Sequence, residues 1–305
     1  MRKTKQESVQ PESIQKSNKE FRAAESAGLL DFLLFSLPGK SRNHVKSLLK
    51  YREVSVDGTV VTQHNYVLKP GQKVRISRSV KQDKAPKNIL DILYEDDNLI
   101  VINKPAGLLS IATDKEKELT AYHLLTDYVR LHNSSNRIFA VHRLDRDTSG
   151  VLMVAKNEEM KLALQDHWAE LVSQRGYMAV VEGQLTEKSG KIRSWLKQTK
   201  TQLVYSSAKA GDGKEAITNY RVVKENTEYS LLEINLETGR KNQIRVHMKD
   251  MGHPVAGDKK YGARTNPLKR MGLHAYKLEL QNPFTLETMC FEAKPPKSFT
   301  ALFTK

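Results

Sequence analysis

A mostly polar run that leads directly into a short apolar run constrains the fold more than any other stretch of the chain. The polar run is His-Arg-Leu-Asp-Arg-Asp-Thr-Ser (142–149), and after Gly150 the chain continues as Val-Leu-Met-Val-Ala (151–155). The apolar run is short, contains two valines and lies between Gly150 and Asn157, which predicts a buried β-strand. The polar run is then a loop at one edge of a sheet, where functional side chains are often carried.

Two arginines flank a single aspartate in this loop. Asp145 lies between Arg143 and Arg146, and Asp147 follows. Nearby positive charge favours an ionised carboxylate, which suits a nucleophile or an electrostatic stabiliser better than a general acid. On composition alone, a solvated turn in which the aspartates and arginines pair locally is the simpler interpretation.

The chain carries a large positive charge. It contains 50 Lys and Arg residues against 35 Asp and Glu residues, a formal net charge of +15, and its pI is near 9.6. This charge favours a polyanionic partner, and no apolar run approaches the roughly 20 residues that would span a membrane. A single cysteine, Cys290, excludes an internal disulfide, and the nine histidines lack metal-ligand spacing. We therefore expect a cytoplasmic protein that binds no metal and no membrane.

The string from His142 to Gly150 closely resembles the signature loop of the RluA-type pseudouridine synthases, which isomerise uridine in structured RNA. Two other stretches resemble hallmarks of the same family, Leu-Ile-Val-Ile-Asn-Lys-Pro-Ala-Gly (99–107) and Thr-Gly-Arg-Lys-Asn-Gln-Ile-Arg-Val-His (238–247). The three motifs follow the family's order. The resemblance implies an α+β fold in which a mixed, mainly antiparallel sheet is flanked by helices and crossed by a central cleft.

The same resemblance implies three catalytic residues. Asp145 matches the essential aspartate, and Arg245 matches the arginine that pairs with it. The spacing of Ile244 and Met248 places Arg245 on a helix. Tyr177 matches the tyrosine that lies under the uracil ring, close to the proton that leaves C5. Without the family match, a buried core tyrosine is the alternative interpretation.

The chemistry of this family makes few demands on the protein. The N1–C1′ bond of uridine breaks and the sugar rejoins the base at C5, so nothing is oxidised and no cofactor is expected. The base must first leave its stack. We expect Asp145 to act on the sugar, Arg245 to orient Asp145, and Tyr177 to stack on the base and remove the C5 proton. Whether Asp145 attacks C1′ or removes a sugar proton stays open at this point.

Seven cationic side chains and one amide are expected to contact RNA. Arg143 is expected to enter the gap left by the flipped base. Lys104 either reaches a phosphate or braces its own loop, and a solvated helix face is the alternative for Arg42 and Lys46. The full set is Arg42, Lys46, Lys104, Arg143, Arg146, Arg240, Lys241 and Asn242.

A small RNA-binding domain is predicted over residues 27–80. Leucines at helical spacing, ended by Pro38-Gly39, predict one helix, and Ser41 is a suitable N-cap for a second. Asp57-Gly58 between two β-branched runs predicts a hairpin. Two helices followed by a hairpin resemble the RNA-binding domain shared by a small-subunit ribosomal protein and tyrosyl-tRNA synthetases.

The remaining segments complete the expected organisation. Residues 1–26 are rich in Lys, Glu, Gln and Ser, which predicts a mobile polar tail with a helical turn near Phe21. Residues 81–88 are expected to form a linker, and residues 89–305 the catalytic domain. We expect a monomer.

Large-subunit ribosomal RNA is the expected substrate, and transfer RNA is the alternative. Two other functions compete with this interpretation. A ribosome-assembly factor could keep the fold and bind RNA without catalysis. A glycoside hydrolase could use Asp145 and Asp147 as its carboxylate pair, about 5–9 Å apart, although the basic charge fits RNA better than sugar.

Overall fold

Two compact units divide the chain, Met1–Ala85 and Pro86–Lys305. The computed structural model describes residues 19–50, 53–76, 90–113, 119–131 and 133–304, without the side chains of Lys19, Asn43, His44, Ser47 and Lys50. The expected linker (81–88) and most of the expected tail (1–18) lie outside the described residues. No helix in the described ranges is long and apolar enough to cross a membrane.

The first unit packs two helices against small sheets, as the leucine spacing and the Asp-Gly turn predict. The strands Lys19–Arg22, Lys73–Ile76, Val54–Val56 and Thr59–Val60 form one sheet in that order, and Ala27–Gly28 pairs with Val67–Leu68. Leu29, Leu33, Val45 and Leu49 are fully buried and form the centre of its core. The elements are β1 (Lys19–Arg22), β2 (Ala27–Gly28), α1 (Leu29–Ser36), α2 (Arg42–Lys50), β3 (Val54–Val56), β4 (Thr59–Val60), β5 (Val67–Leu68) and β6 (Lys73–Ile76).

The prediction of a polar tail that ends at residue 26, with a helical turn near Phe21, is wrong for its last part. Lys19–Arg22 is a strand that pairs antiparallel with β6, with Phe21 opposite Val74. The Arg75 guanidinium lies 2.7 Å from the Glu20 carboxylate on the same pair of strands. The partners of this segment lie more than fifty residues away, so its local composition does not reveal the strand.

The second unit is built on one eleven-stranded sheet, with the order β13-β12-β14-β15-β11-β16-β10-β8-β7 and with β17 beside β16 and β9 beside β10. Among the described strands only β10 and β16 pair in parallel, so the expected mixed, mainly antiparallel sheet is confirmed. The strands are β7 (Asp91–Glu95), β8 (Leu99–Lys104), β9 (Phe139–Ala140), β10 (Ser149–Ala155), β11 (Val172–Glu182), β12 (Ser189–Gln198), β13 (Val204–Ser207), β14 (Lys214–Glu225), β15 (Tyr229–Leu236), β16 (Leu273–Gln281) and β17 (Thr288–Glu292).

Within the described ranges, five helices and a 3-10 turn flank this sheet. Thr120 and Asn157 cap the first two helices, because each side chain accepts a hydrogen bond from a backbone N–H three residues later. The elements are α3 (Ala121–Arg130), α4 (Glu158–Asp166), α5 (Trp168–Leu171), α6 (Gln243–Asp250), α7 (Lys297–Ala301) and the 3-10 turn Lys259–Tyr261.

Strand β10 is buried along its whole length, as the apolar run after the polar loop predicts. Its first residues pair with β16, which in turn pairs with β11. Gly150 lies at the closest approach, with φ +114°, and a Cβ built there would lie 2.0 Å from the Ala275 carbonyl oxygen. A residue without a side chain is therefore required where β10 and β16 meet.

Candidate active site

Asp145 and Arg245 are a hundred residues apart in sequence and meet in the second unit. Nη1 of Arg245 donates a hydrogen bond to Oδ2 of Asp145 over 3.1 Å. Asp145 lies in the loop before β10, and Arg245 lies in the first turn of α6. The Asp145 side chain is 21% exposed and the Arg245 side chain 12%. Dissolved salt therefore weakens this ion pair much less than it weakens a pair on the surface.

A second carboxylate, which the sequence analysis did not single out, holds the rest of the Arg245 guanidinium. Asp258 accepts from Nε over 2.6 Å and from Nη2 over 2.9 Å, and its side chain is only 2% exposed. Nη1 also donates to Oδ1 of Asn242 over 3.0 Å. Arg245 therefore binds Asp258 in a bidentate manner through Nε and Nη2, and only Nη1 is left to donate to Asp145 and Asn242.

The charge of Arg245 is fixed by these carboxylates. Burial alone would lower the pKa of the guanidinium, but the hydrogen bonds and negative charge of Asp258, followed by those of Asp145, raise the pKa above its ordinary value. The guanidinium also lies 4.8 Å from the centre of the Tyr261 ring, a cation–π contact. Asp145 thus faces a permanent cation that cannot rotate freely.

A polar network sets the entry of the chain into α6. Asn242 has a left-handed backbone conformation, with φ 56°. The Gln243 side chain accepts from Thr238 Oγ1 and from the backbone N–H of Arg240, over 2.8 and 3.0 Å. Its Nε2 donates to the Ile217 carbonyl and to Thr218 Oγ1 on β14. This buried amide connects the loop before α6 to the sheet, and it therefore fixes where α6 begins and where Arg245 lies.

A pocket opens beside the Asp145–Arg245 pair. Its apolar wall is formed by Leu144, Leu236, Ile244 and Leu273, and its polar lining includes Asp145, Tyr177 and Arg245. Such a pocket, with an apolar wall and a few convergent polar groups, suits a flat heterocyclic base with polar edges.

Tyr177 lines this pocket from β11, where it is paired with Ile234 on one side and Ala275 on the other. Burial raises the pKa of its phenol to about 12, against the lowering effect of the Arg175 charge, and the charge of Asp145 adds to the rise. The phenol is therefore protonated at neutral pH. This favours the expected stacking role and disfavours the expected removal of the C5 proton.

The placement of Lys104 among the RNA-binding residues is wrong. Lys104 is fully buried, and its ammonium donates to the carbonyls of Pro105, Leu108 and Arg146 over 2.7–3.1 Å. The alternative that Lys104 braces its loop is the one that the structure supports. Burial lowers the pKa of Lys104 to about 8, partly offset by the charges of nearby aspartates.

The segment that begins at Lys104 holds the backbone on both sides of Asp145. The Ser110 hydroxyl accepts from the backbone N–H of Leu144 and donates to its carbonyl, over 3.0 and 2.8 Å. Beyond Asp145, the backbone N–H of Gly107 donates to the Arg146 carbonyl over 2.9 Å. The loop that carries Asp145 is therefore fixed through the residues before and after the aspartate.

The other residues predicted to contact RNA fall into three groups. Arg143, Arg240 and Lys241 are exposed and line the pocket. Arg146 is exposed but pairs with Asp147 through two hydrogen bonds of 3.0 Å. Asn242 also lines the pocket but is buried, and its side chain engages both Arg245 and the Tyr261 hydroxyl. It therefore positions Arg245, and its contact with RNA stays a prediction.

Arg42 and Lys46 lie in the first unit, on α2, and both are exposed. The Arg42 guanidinium is 3.9 Å from the Asp31 carboxylate, and both side chains are more than 60% exposed. An ion pair this open contributes little to stability and leaves Arg42 accessible to a phosphate.

No group of three or more metal-ligating side chains occurs within the described ranges. The site as described consists of one carboxylate, one clamped guanidinium, one aromatic ring and an apolar wall. This arrangement can hold a carboxylate beside a bound base and sugar.

Residues 98–250 match the family described as RNA pseudouridylate synthase, and residues 28–74 match the S4 domain. The chain belongs to the RNA pseudouridine synthase family, whose members are isomerases, and it carries an N-terminal S4 domain. The resemblance to that family and to the RNA-binding domain is therefore confirmed.

Several relatives support this assignment. The chain is 35% identical over 289 residues to an uncharacterised RNA pseudouridine synthase of Mycoplasma pneumoniae, covering 90% of this chain and 91% of that one. It is 35% identical to the ribosomal large subunit pseudouridine synthase D of Nitrosomonas europaea, covering 87% and 80%. The solved structure of human RNA pseudouridylate synthase domain containing 1 is 26% identical, with a TM-score of 0.58 over 73% of this chain and 91% of that one.

Proposed function

We propose that this protein converts uridine to pseudouridine in large-subunit ribosomal RNA, with Asp145 as the catalytic carboxylate. The observation that carries the proposal is the Asp145 carboxylate at the pocket, held by one nitrogen of a guanidinium that Asp258 has fixed. The name of the Nitrosomonas europaea relative supports ribosomal RNA as the substrate class. The S4 domain and the net charge of +15 are consistent with a large RNA.

Each step of the isomerisation has a side chain suited to it. The target nucleotide is extruded, because C5 and C1′ cannot be reached inside a helix. The uracil ring lies against Tyr177 and the apolar wall, which exclude water. Asp145 then acts on the sugar while the N1–C1′ bond breaks, and the base turns so that C5 bonds to C1′. The C5 proton passes to the freed Asp145 carboxylate and exchanges with solvent, and N1 takes up a proton, so that the product is an isomer of uridine. Arg245 holds the Asp145 carboxylate in place through its hydrogen bond throughout.

The exposed cations place the RNA backbone around the pocket. Arg143 enters the space that the extruded base leaves, and Arg240 and Lys241 face the strand that enters the pocket. Arg42 and Lys46 contact phosphates from the S4 domain. We further propose that the enzyme acts as a monomer in the cytoplasm.

Release of tritium from 5-tritiated uridine in a large-subunit ribosomal RNA transcript tests the catalytic assignment. Asp145→Asn is expected to abolish release. Asp147→Asn is the matched control, because it makes the same change two residues away at a more exposed carboxylate that pairs with Arg146. Release by Asp145→Asn at the wild-type rate would show that Asp145 is not the catalytic residue.

Mapping of pseudouridines in cells with and without the gene tests the substrate. Loss of a site in large-subunit ribosomal RNA supports the proposal, and loss of a site in transfer RNA would replace the proposed substrate. An unchanged map would indicate a binding-only assembly factor. Release of free uracil from the transcript would indicate hydrolysis instead of isomerisation.

A further inference from the structure

Two lysines from separate segments converge on one glutamine at the rim of the pocket. Gln202 lies in the turn between β12 and β13, in a left-handed conformation with φ 66°. Its side-chain oxygen accepts from Gln198 Nε2 and, over 2.9 Å, from the Lys241 ammonium. Its backbone carbonyl accepts from the Lys260 ammonium over 3.4 Å. Lys241 also lines the pocket that contains Asp145.

The positions of these three residues are set by a buried ring. Tyr261 is 3% exposed, and its hydroxyl accepts from Asn242 Nδ2 over 2.9 Å and from the Val204 backbone N–H over 3.3 Å. Val204 follows Gln202 by two residues, Asn242 follows Lys241, and Tyr261 follows Lys260. The Lys260 ammonium itself lies 5.9 Å from the centre of the ring. Three segments are thus fixed around one side chain, which sets the spacing of the lysines.

The two ammonium groups are not neutralised. Neither has a carboxylate within ion-pair distance among the described residues, and both lysines are exposed. Other lysines around the same sheet differ, since Lys188, Lys191 and Lys197 pair with Glu225, Glu237 and Asp212 at 2.6–2.8 Å. Two like charges held on a neutral amide repel each other, and an anion placed between them would be attracted by both.

We propose that Lys241, Lys260 and Gln202 form a phosphate clamp that binds one phosphodiester of the RNA strand entering the pocket. The inference rests on the proposed function, because it takes RNA as the ligand. The lysines supply two charge-assisted hydrogen bonds to the phosphate oxygens. The Gln202 Nε2, which donates no hydrogen bond within the described part of the chain, supplies a third donor. A phosphate held at the pocket rim fixes the backbone beside the extruded nucleotide.

The clamp is tested by RNA binding as a function of salt. Binding of a fluorescein-labelled, uridine-containing RNA hairpin is measured by fluorescence anisotropy between about 50 and 300 mM KCl, a range that brackets physiological ionic strength. Lys241→Gln/Lys260→Gln is expected to weaken binding roughly tenfold. It is also expected to reduce the slope of log Kd against log salt by about 0.7, the change for one phosphate contact on a single strand.

Two further variants separate the clamp from a general loss of charge. Lys188→Gln removes one positive charge from a lysine that already pairs with Glu225, and it is expected to leave affinity and turnover unchanged. Gln202→Glu keeps both lysines but places a carboxylate against the Lys241 ammonium, in the space that the phosphate would take. It is therefore expected to weaken binding about as much as the double lysine variant. The clamp is refuted if the double variant keeps the wild-type slope, or if Gln202→Glu binds as tightly as wild type.

The same measurements distinguish failure of the clamp from failure of the proposed function. Asp145→Asn is expected to lose tritium release while it keeps the wild-type Kd and salt slope. If the wild-type protein forms no pseudouridine, the proposed function fails, and the anisotropy data still decide whether the clamp exists. If the wild type is active but the double lysine variant binds normally, only the clamp fails.

Discussion

Substitution of Asp258 by Asn tests whether this carboxylate acts on catalysis through Arg245. The amide keeps one acceptor oxygen but loses the negative charge that opposes the guanidinium. One of the two hydrogen bonds, of 2.6 and 2.9 Å, must therefore be lost. Arg245 is then free to turn toward Asp145, its remaining carboxylate, and the direction in which Asp145 points is no longer fixed.

The magnitude follows from the burial of the pair. Loss of one partner from a buried ion pair usually destabilises a protein by about 3–5 kcal/mol. Because Arg245 keeps Asp145 as a partner, we expect the lower end, ~3 kcal/mol, which corresponds to a decrease in Tm of roughly 6–12 °C for a domain of this size. A shift of the carboxylate by about 1 Å from its reactive position is expected to lower kcat about 100-fold.

Single-turnover tritium release and thermal unfolding of the same preparations measure both effects, at a temperature where Asp258→Asn is fully folded. Asp250→Asn is the matched control, because Asp250 is exposed at the end of α6 and its carboxylate accepts from the Ser206 hydroxyl. The double variant Asp145→Asn/Asp258→Asn is expected to lose more free energy of unfolding than the two single variants lose together, because it leaves Arg245 buried without a carboxylate. A lowered Tm with a wild-type kcat would show that Asp258 is structural only.

Three further predictions follow from burial and backbone geometry. Lys104→Met is expected to lower kcat without changing the salt dependence of RNA binding, because the ammonium donates to backbone carbonyls inside the protein. A smaller slope of log Kd against log salt in fluorescence anisotropy would show instead that Lys104 contacts RNA. Burial lowers the pKa of His247 to about 4, so the unfolded chain binds the extra proton between about pH 6.5 and 4. As the pH falls through this range, His247 should lower the free energy of unfolding by up to about 1.4 kcal/mol per pH unit. Urea unfolding of His247→Gln should show a smaller loss of stability over the same pH range. Gly150→Ala is expected to destabilise the protein by more than about 4 kcal/mol, because its Cβ would overlap the Ala275 carbonyl; soluble protein with a wild-type Tm would contradict this.

The parts of the structure that local patterns encode were predictable from the sequence. The apolar run after Gly150 predicts the buried strand β10, and the spacing around Ile244 predicts the helix that carries Arg245. Periodicity alone does not bring Asp145 to Arg245, because no local pattern relates residues a hundred positions apart. That contact was expected only from the resemblance to a family.

The residues that were missed or misplaced depend on partners from distant segments. Asp258 follows Gly257 and precedes two lysines, a composition typical of a solvated turn, yet it is almost fully buried against α6. Lys104 is the last residue of the apolar strand β8, a position where a lysine side chain often faces solvent. Its burial depends on backbone carbonyls of its own turn and of Arg146, which all point toward the ammonium. The amino-acid sequence does not show in which direction these carbonyls point.

The position of β16 in the sheet has a consequence for how the enzyme matures. Translation delivers Asp145 and Arg245 before Leu273–Gln281 exist, yet β16 is the strand through which β10 and β11 are joined. Until that strand is made, the nascent chain has two half-sheets with no hydrogen-bonded seam between them, and its reactive carboxylate and guanidinium belong to different halves. Competence for chemistry therefore requires that Leu273–Gln281 has been made and has paired with both β10 and β11.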